Sequence, residues 1–437
     1  MSPLTPPAVC AITSHVYASP GPDRDKFVAL VTAFNARPAN PTSWVVHTHG
    51  DGDASTQLEA LISEKLASMV VLAGKNDTKL STISRLITAG IHVLADKPWA
   101  TSLESLSDLG AATAPDASAL AMDIMTNKHD VIAKIRREIV NDPALFGGFR
   151  TDGDLPCVEI GSVHHLMKLV NGAPLRRPAW YYDVGVQGNG LVDITSHMVD
   201  QVQWLLAEHT AEDYDFGTDC VLTSAATTDT EVPIELFCDS TGLAAFPEFL
   251  EGLLRESELE GSGPLWAGGG GVTVLPLAAN GALEYKLRGV SVRHTAEWRP
   301  REPAGGGDLH SATLRGMGCE VTVRCDDSTG YKQELLLTPA STDGPAVDAF
   351  GASVVAAIAR WNNLPQFKGV SASHVPEKGG WVIDVPAEIA PTHEEHFALA
   401  MEEFLDHITI GWPPLAGEGG NGWPPSLVST HAIPATT

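Results

Sequence analysis

Cysteine is scarce in this chain and stands in no metal-binding spacing. The 437 residues contain six cysteines, and no two of them form a Cys-x-x-Cys or similar arrangement. A zinc ribbon is therefore excluded, and a scaffold held by disulfides is not expected in a chain of this length. Reduced cysteines fit a cytoplasmic location. The segment Met1 to Pro7 has neither the basic side chain nor the apolar stretch of a secretory signal.

Basic residues and long apolar runs are also lacking. Lys and Arg total 28 against 54 Asp and Glu, which leaves a formal net charge of -26. This charge has the wrong sign for a protein that binds nucleic acid through its phosphates. No apolar run approaches the roughly 18 to 20 residues that a membrane span needs. We therefore expect neither nucleic acid nor a membrane as a partner.

What is present is typical of a globular protein with more than one core. Hydrophobic residues make up 43% of the chain and charged residues 19%. A chain of 437 residues exceeds the usual size of a single domain, so two domains are expected.

The N-terminal part alternates short β-branched runs with amphipathic stretches, a pattern typical of βαβ units. We predict five strands, at residues 15–18, 44–47, 69–73, 92–95 and 119–124. We predict helices between them, near residues 24–36, 54–67, 77–89 and 101–112. Each crossover has room for one helix, so the prediction is a doubly wound parallel sheet that binds its ligand beyond the carboxyl ends of the strands.

The pattern changes after Thr126. A helix is predicted near residues 128–140, and strand-like runs such as 321–324 and 334–338 follow among Gly- and Pro-rich segments. This favours an α+β domain with a largely antiparallel open sheet. We therefore predict an α/β domain over residues 1–126, an α+β domain over 127–410 and a Gly/Pro-rich tail over 411–437.

Two sequence motifs resemble those of a known enzyme family. Residues 89–98, AGIHVLADKP, are similar to the AGKHVLCEKP signature of the glucose-fructose oxidoreductase, inositol dehydrogenase and MocA family. Residues 188–200, GNGLVDITSHMVD, resemble the GGGxxxDxGxHxxD helix start of the same family. Segments 162–165, 177–184 and 392–397 are similar to a branch with a distinctive C-terminal domain. The resemblance covers residues 15 to 410.

The resemblance implies a Rossmann domain that binds NAD or NADP, followed by a substrate domain whose open sheet often forms a homo-oligomer interface. Typical reactions of the family are hydride transfers at a secondary alcohol of a sugar, a cyclitol or a related polyol. The catalytic residues that it implies are Lys97, Asp193 and His197.

Further site residues follow from the same resemblance and from their places at strand ends. His164, His165 and Tyr182 are expected to bind substrate. The residues expected to contact the cofactor are Asn76, Asp96, Lys97, Pro98 and Asp23.

The three catalytic candidates suit alcohol oxidation. The reaction needs a base within hydrogen-bond reach of the hydroxyl and a cation that stabilises the developing alkoxide. Lys97 follows a predicted strand and is assigned to alkoxide polarisation or proton relay. Asp193 and His197 are four residues apart and would share one face of a helix. His197 is the expected acid/base, and Asp193 its orienting partner or an acceptor for a substrate hydroxyl.

The histidines also raise the question of a metal. Zinc bound by Asp193, His197 and the pair His164 and His165 is conceivable, but no third ligand has a helical spacing that would support it. The run His393-Glu394-Glu395-His396 has its histidines three apart, whereas a zinc protease helix needs them four apart. Thr392 and Glu395 instead predict a capping box that opens a helix over residues 393–407. No metal is expected.

The sequence departs from the family at its beginning. A Rossmann domain normally starts with a strand, a Gly-rich turn and a helix, yet the first glycine here is Gly21. We therefore predict an incomplete sheet that lacks the first strand and the Gly-rich turn. Three explanations are open: a chain start placed too late, weak cofactor binding through the remaining loops, or a degenerate homologue.

Two functional alternatives accompany the oxidoreductase hypothesis. A non-catalytic or truncated homologue would act as a ligand-binding or scaffold protein. A hydrolase or lyase that uses bound NAD would share the same site residues.

Overall fold

The computed structural model describes most of the 437-residue chain. The described residues are 13–17, 21–38, 42, 44–48, 54–108, 119–170, 172–207, 216–257 and 272–410. The predicted Gly/Pro-rich tail at 411–437 therefore lies outside the described residues.

The N-terminal part of the described chain, from β1 to β5, has the predicted alternation of strands and helices. It is called the N-terminal half below, and the larger remainder the C-terminal half. Its strands are β1 (Thr13–Val16), β2 (Val45–Thr48), β3 (Met69–Leu72), β4 (His92–Ala95) and β5 (Ala121–Asp123). Its helices are α1 (Pro22–Asn35), α2 (Ala54–Glu64) and α3 (Lys79–Thr88), followed by a 3-10 turn at Glu104–Asp108. The three strand pairs described in this half are all parallel, so the parallel α/β prediction is confirmed.

The apolar face of helix α3 forms part of the core of this half. Leu80, Ile83, Leu86 and Ile87 are at most 2% exposed, and their spacing places them on one face of the helix. They pack on Val93 of β4 in the same apolar cluster. Burial of each such side chain contributes roughly 1.5–3 kcal/mol before the entropic cost of ordering the chain is subtracted.

The parallel strands form two separate sheets. Among the described residues, β1 pairs with β2, while β3, β4 and β5 form a sheet of three. In this described sheet β3 is thus at the edge, and its Val71 is 50% exposed. This division is compatible with the expected lack of a central strand, which stays a prediction.

The C-terminal half is built on one large mixed sheet. The strands of this sheet are β6 (Val158–Met167), β9 (Cys220–Pro233), β10 (Arg255–Ser257), β11 (Val272–Leu287), β12 (Val290–Arg301), β13 (Leu309–Arg315), β14 (Cys319–Cys325), β15 (Glu334–Pro339), β16 (Ser371–Val375) and β17 (Gly380–Asp384). Their order is β10-β11-β12-β6-β13-β14-β15-β17-β16, and β9 also pairs with β11. Among the strand pairs that the structure describes here, only β12–β6 is parallel. The predicted largely antiparallel second sheet is confirmed.

The helices of this half cover the sheet and link it to the first half. They are α4 (Val131–Val140), α5 (Val184–Gln187), α6 (Thr195–Ala207), α7 (Phe216–Asp219), α8 (Ile234–Thr241), α9 (Glu248–Glu251), α10 (Gly344–Trp361) and α11 (His393–Ile410). A short hairpin of β7 (Leu169–Val170) and β8 (Ala173–Pro174) follows β6. Side chains of α4, α6 and α10 form the main core with the sheet.

The beginning of α11 follows the sequence prediction. The backbone N–H of Thr392 donates to Glu395 Oε2 at 2.7 Å, and the N–H of Glu395 donates to Thr392 Oγ1 at 3.2 Å. These two bonds form the predicted capping box. The helix itself runs three residues beyond the predicted end, to Ile410.

Helix α11 returns to the N-terminal sheet. Its Phe404 is fully buried with Leu94, Leu120 and Met122 around strands β4 and β5. On the same helix, Glu403 Oε1 accepts from Lys128 Nζ at 2.7 Å. The last described helix of the chain thereby helps to close the core of the first half.

No helix in the described part of the chain combines the length and the apolar character that crossing a bilayer requires.

Candidate functional site

The site lies where loops of the N-terminal half meet a turn of the C-terminal half. Lys97 follows β4, and Asp193 lies in the turn that precedes α6. Lys97 Nζ donates to Asp193 Oδ1 at 2.7 Å and to the Asp193 carbonyl oxygen at 2.5 Å. Their side chains are only 17% and 8% exposed. Two residues 96 positions apart, both expected in the site, thus form one buried ion pair.

Two more side chains hold the Asp193 carboxylate. Gln187 Nε2 donates to Oδ1 at 2.9 Å, and the Tyr181 hydroxyl donates to Oδ2 at 3.3 Å. Burial favours a higher pKa for Asp193, but the charge of Lys97 and its hydrogen bond hold that pKa below the ordinary value. Burial, together with the Asp193 charge, raises the pKa of Tyr181 well above its usual value. The site therefore contains a stable carboxylate and a neutral phenol.

The turn that presents Asp193 depends on a close contact between glycines. A Cβ on Gly190 would lie 2.2 Å from the carbonyl carbon of Asn280 in β11. A Cβ on Gly281 would lie 2.6 Å from the carbonyl carbon of Gly190. The Gly190 N–H also donates to the Ala278 carbonyl at 2.9 Å. Glycine is therefore needed in this motif to let the turn pack on the sheet, which places Asp193 at the site.

One detail of the sequence prediction is wrong. Asp193 does not share a helix with His197, because α6 begins at Thr195 and residues 191–194 form a turn. The two residues nevertheless act on each other: burial and Lys97 lower the pKa of His197 well below 6.5, while Asp193 opposes this shift. His197 is thus a neutral imidazole near neutral pH.

Strand β6 carries His164 and His165, and both side chains contact Asp308. His164 Nδ1 lies 3.2 Å from Asp308 Oδ2, and His165 Nδ1 lies 3.3 Å from Asp308 Oδ1. His164 lies close enough to Asp193 and His197 to contribute to the pKa shifts of both. His165 is 2% exposed, so its ring lies deeper than that of His164.

His310 and Asp308 are site residues that sequence reasoning missed. The ring of His310 lies 5.5 Å from that of His164, and burial, followed by His164, lowers the pKa of His310 to about 4. Asp308 precedes β13, 144 residues after His164. Because only the antiparallel pairing of β13 with β6 brings these residues together, no spacing in the sequence reveals them.

Lys79 was also missed. It is 2% exposed, and its ammonium group donates to Asn76 Oδ1 at 2.6 Å and forms an ion pair with Asp96. Burial lowers its pKa, although Asp96 opposes the shift. Asn76 in turn donates to the Gln187 carbonyl at 3.1 Å. Lys79 and Asn76 therefore connect the loops after β3 and β4 to the segment before Asp193.

Two expected site residues are not seen at the site. Tyr182 lies in the core, and the side chain of Asp23 is outside the described residues. Tyr182 is fully buried against Phe237, and its hydroxyl is hydrogen-bonded to the Ser240 hydroxyl. An apolar core surrounds it, so the neighbouring Tyr181 takes its place beside Asp193. Asp23 is the second residue of α1, and its side chain lies outside the described residues.

Two features of the loops beyond β3 and β4 bear on the binding of a dinucleotide. Gly74, after β3, has a φ of 118° and open space where a Cβ would stand, so a ligand can approach its backbone. Lys97, joined to Pro98 by a cis peptide bond, follows the neighbouring strand. In the described residues no Gly-x-Gly-x-x-Gly turn leads from a strand into a helix, so the pyrophosphate is assigned to no residue.

The histidines of the site are not arranged as metal ligands. Within the described ranges, no group of three or more His, Cys, Asp and Glu side chains is placed to hold a metal ion.

Comparison with known proteins places the chain in a family. Residues 13–122 match the family described as "Oxidoreductase family, NAD-binding Rossmann fold". Residues 135–415 match the family described as "Putative oxidoreductase C terminal domain". A search of curated proteins finds no match.

Solved structures support this assignment. The crystal structure of a putative oxidoreductase from Parabacteroides merdae is 30% identical, with a TM-score of 0.82 over 96% of this chain and 89% of that chain. Levoglucosan dehydrogenase in complex with NADH and L-sorbose is 12% identical, with a TM-score of 0.52 over 90% of this chain and 79% of that chain. Its apo form, also 12% identical, has a TM-score of 0.53 over 91% and 81% of the two chains. These two show a shared fold. The chain therefore belongs to the glucose-fructose oxidoreductase, inositol dehydrogenase and MocA family of oxidoreductases, with an NAD-binding Rossmann domain and the C-terminal domain of one of its branches.

Proposed function

We propose that this protein is an NAD(P)-dependent oxidoreductase that oxidises a secondary alcohol of a sugar, a cyclitol or a related polyol. The observation that carries the proposal is the buried Lys97–Asp193 ion pair beside the neutral imidazole of His197. Alcohol oxidation needs these two elements, a fixed cation for the alkoxide and a base for the proton.

Each residue has a defined task in this proposal. Lys97, held by Asp193, places its ammonium group against the substrate oxygen as negative charge develops there. His197 accepts the hydroxyl proton, because its lowered pKa leaves it unprotonated near neutral pH. Gln187 and Tyr181 keep the Asp193 carboxylate turned toward Lys97. When bound, the nicotinamide cofactor supplies the hydride acceptor.

The charges of the site favour a neutral polyhydroxyl substrate. Asp193 is paired with Lys97, and Asp308 with Lys168. Burial lowers the pKa values of His197 and His310, so both rings are neutral hydrogen-bonding groups near pH 7. Neutral imidazoles both donate and accept, as hydroxyl groups do. The L-sorbose bound by levoglucosan dehydrogenase, which shares this fold, supports the same substrate class.

We assign substrate contacts to His164, His165 and Tyr181, with Tyr181 in place of Tyr182. The proposed cofactor contacts remain Asn76, Asp96, Lys97, Pro98 and Asp23. Asn76 and Asp96 would act partly through Lys79, which already binds both.

The proposed homo-oligomer uses the sheet of the second domain. Strand β9 is 14 residues long and pairs on one side, with β11, in the part of the chain that the structure describes. An unpaired edge of this length is usually covered in a native protein. Light scattering coupled to size exclusion would measure a mass of twice 46.2 kDa or more, and a monomer would contradict the proposal.

The experiment that tests the function is a titration of the purified chain with NADH and with NADPH, followed by energy transfer from tryptophan to the nicotinamide. Saturable micromolar binding, followed by reduction of NAD or NADP with a member of a polyol panel, is expected. The absence of binding would contradict the proposal. Product formation from a glycoside without change in nicotinamide absorbance would indicate hydrolysis instead.

A further inference from the structure

Asp308 is the meeting point of three side chains at one edge of the site. Besides the two histidine contacts, Lys168 Nζ donates to its Oδ2 at 2.5 Å. The Asp308 side chain is 14% exposed, and that of Lys168 is 24% exposed. Burial favours a higher pKa for Asp308, but His164 and Lys168 hold this pKa well below its ordinary range. Asp308 is therefore ionised across the working pH range.

An ionised carboxylate can only accept hydrogen bonds, which settles the direction of its contacts. His164 and His165 must each carry a hydrogen on the Nδ1 that faces Asp308. In its neutral form His164 then has no hydrogen on Nε2, so this atom accepts. Its partner is the Ser162 hydroxyl, 3.0 Å away, which must donate. The bonds thus run from Ser162 through His164 to Asp308.

The inner end of this chain of bonds faces the site. Ser162 and His164 are two residues apart on β6 and so share one face of the sheet. His310 pairs with Ser162 in the register of β13 and β6, and its ring contacts that of His164. With its single hydrogen given to His164, the Ser162 oxygen offers lone pairs to a hydroxyl of a bound polyol.

We propose that Asp308 is a positioning residue that fixes the Nδ1–H tautomer of His164 and thereby makes Ser162 an acceptor for a substrate hydroxyl. The role in substrate binding rests on the proposed polyol oxidation, whereas the tautomer does not. His165 and Lys168 keep the carboxylate in place from its other sides.

The tautomer is measured directly on the full-length protein labelled with 15N-histidine. Long-range 1H–15N correlations distinguish Nδ1–H from Nε2–H, and His164→Gln assigns the signal. The wild type is expected to show Nδ1–H. In Asp308→Asn the side-chain amide can donate to Nδ1, so the Nε2–H form should appear. An Nε2–H wild type, or an unchanged tautomer in Asp308→Asn, would overturn the proposal.

Two further variants keep the test decisive. Asp219 is also a partly buried aspartate and is paired with Arg288, so Asp219→Asn is the matched control and should leave His164 unchanged. Ser162→Ala removes the hydroxyl but not the carboxylate, and Nδ1–H should persist. A tautomer that reverses in Ser162→Ala would show that Ser162, not Asp308, sets it.

Kinetics test the role in the reaction. With a polyol substrate, kcat/KM of Asp308→Asn should fall on the order of 10- to 100-fold, the loss seen when the partner that orients a metal-ligating histidine is removed. Asp219→Asn should stay within about two-fold. Asp308→Glu should recover part of the loss. An unaltered kcat/KM in Asp308→Asn would overturn the role in the reaction. If the wild type oxidises no polyol, the proposed function fails, and the tautomer measurement still decides the role of Asp308.

Discussion

Lys97 lies in a site where most charges are already paired. The Asp193 carboxylate neutralises its ammonium group in the free protein, and both side chains are largely withdrawn from water. A charge held in this way needs little rearrangement when an alkoxide develops next to it, which makes electrostatic stabilisation efficient. In the proposed reaction the tasks of cation and base are divided between Lys97 and His197.

Replacing Lys97 by Ala should lower turnover far more than it weakens cofactor binding. The cation acts on charge that develops in the transition state, so we expect kcat to fall ~10²- to 10³-fold. The NADH dissociation constant should change by less than about five-fold, measured by fluorescence titration. Lys332→Ala, at an exposed loop position, is the control. Equal losses in turnover and cofactor affinity would contradict the assignment.

His197 should set the acid limb of the pH profile. Burial, then Lys97, lowers its pKa well below 6.5, so the neutral base persists on acidification past pH 6.5. In the wild type, kcat/KM should therefore hold through pH 6.5 and fall only at lower pH. His197→Gln should abolish this limb, and His374→Gln, an exposed histidine, should retain it. A profile unaffected by His197→Gln would reject this base.

At the scale of elements, short backbone contacts and buried polar groups decide the geometry. The turn before α6 lies against β11 because neither Gly190 nor Gly281 has a Cβ. His294 lies on β12, opposite Leu283 of β11, and its exposure is 0%. Strand β11 therefore packs against the turn that carries Asp193, and its neighbour β12 carries a buried imidazole.

Gly190→Ala should destabilise the protein strongly. Its Cβ would overlap the backbone of Asn280, which cannot move without disturbing the sheet. We expect a loss of about 3 kcal/mol or more in the free energy of unfolding. Gly344→Ala, where a Cβ meets nothing within 4 Å, should stay within about 0.5 kcal/mol. Urea denaturation measures both, and equal stability of the two variants would contradict the close contact.

His294 predicts a specific loss of stability in acid. Burial lowers its pKa to about 3, and its Nε2 lies 3.1 Å from the Tyr285 hydroxyl. The unfolded chain takes up this proton near pH 6.5, but the folded protein does not until about pH 3. Stability therefore falls as pH is lowered through this window, by up to ~1.4 kcal/mol per pH unit from this group.

Replacing His294 by Gln should remove that part of the pH dependence. As the pH is lowered from 7 to 4.5, the free energy of unfolding should therefore fall less in the variant than in the wild type. His374→Gln supplies the matched histidine control. Parallel pH profiles for wild type and His294→Gln would show that His294 titrates normally.

At the scale of the whole molecule, the two halves are joined at two places next to strand β4. The site joins them through Lys97 and Asp193, while α11 joins them through Phe404 and the Lys128–Glu403 ion pair. Both connections involve β4, because Lys97 follows this strand and Leu94 contacts Phe404. We therefore expect the position of Lys97 to depend on packing by the last described helix.

Phe404→Ala should loosen the first half of the molecule. Removing this fully buried ring leaves a cavity and should cost ~3–5 kcal/mol of stability. Hydrogen exchange at the amides of β4 and β5 should accelerate. Phe397→Ala changes the same helix at a ring that is 46% exposed and is the control. Unchanged exchange in Phe404→Ala would contradict the role of α11.

The sequence by itself determined the class of fold and predicted the residues of the candidate site. Periodic apolar residues specify helices and strands locally, which is why the parallel alternation, the capping box at Thr392 and the antiparallel second sheet were predictable. Lys97, Asp193 and His197 were predicted because short motifs carry them, and the structure pairs the first two in a buried ion pair. Their catalytic roles belong to the proposed function.

Only the tertiary structure decided which distant residues meet. Asp308 reaches His164 through strand pairing, Lys79 is buried between two loops, and Tyr181 rather than Tyr182 turns toward Asp193. Asp193 lies before α6 because the preceding glycines pack on β11. Such contacts depend on the register of strands far apart in the chain, and no local pattern of residue types encodes that register.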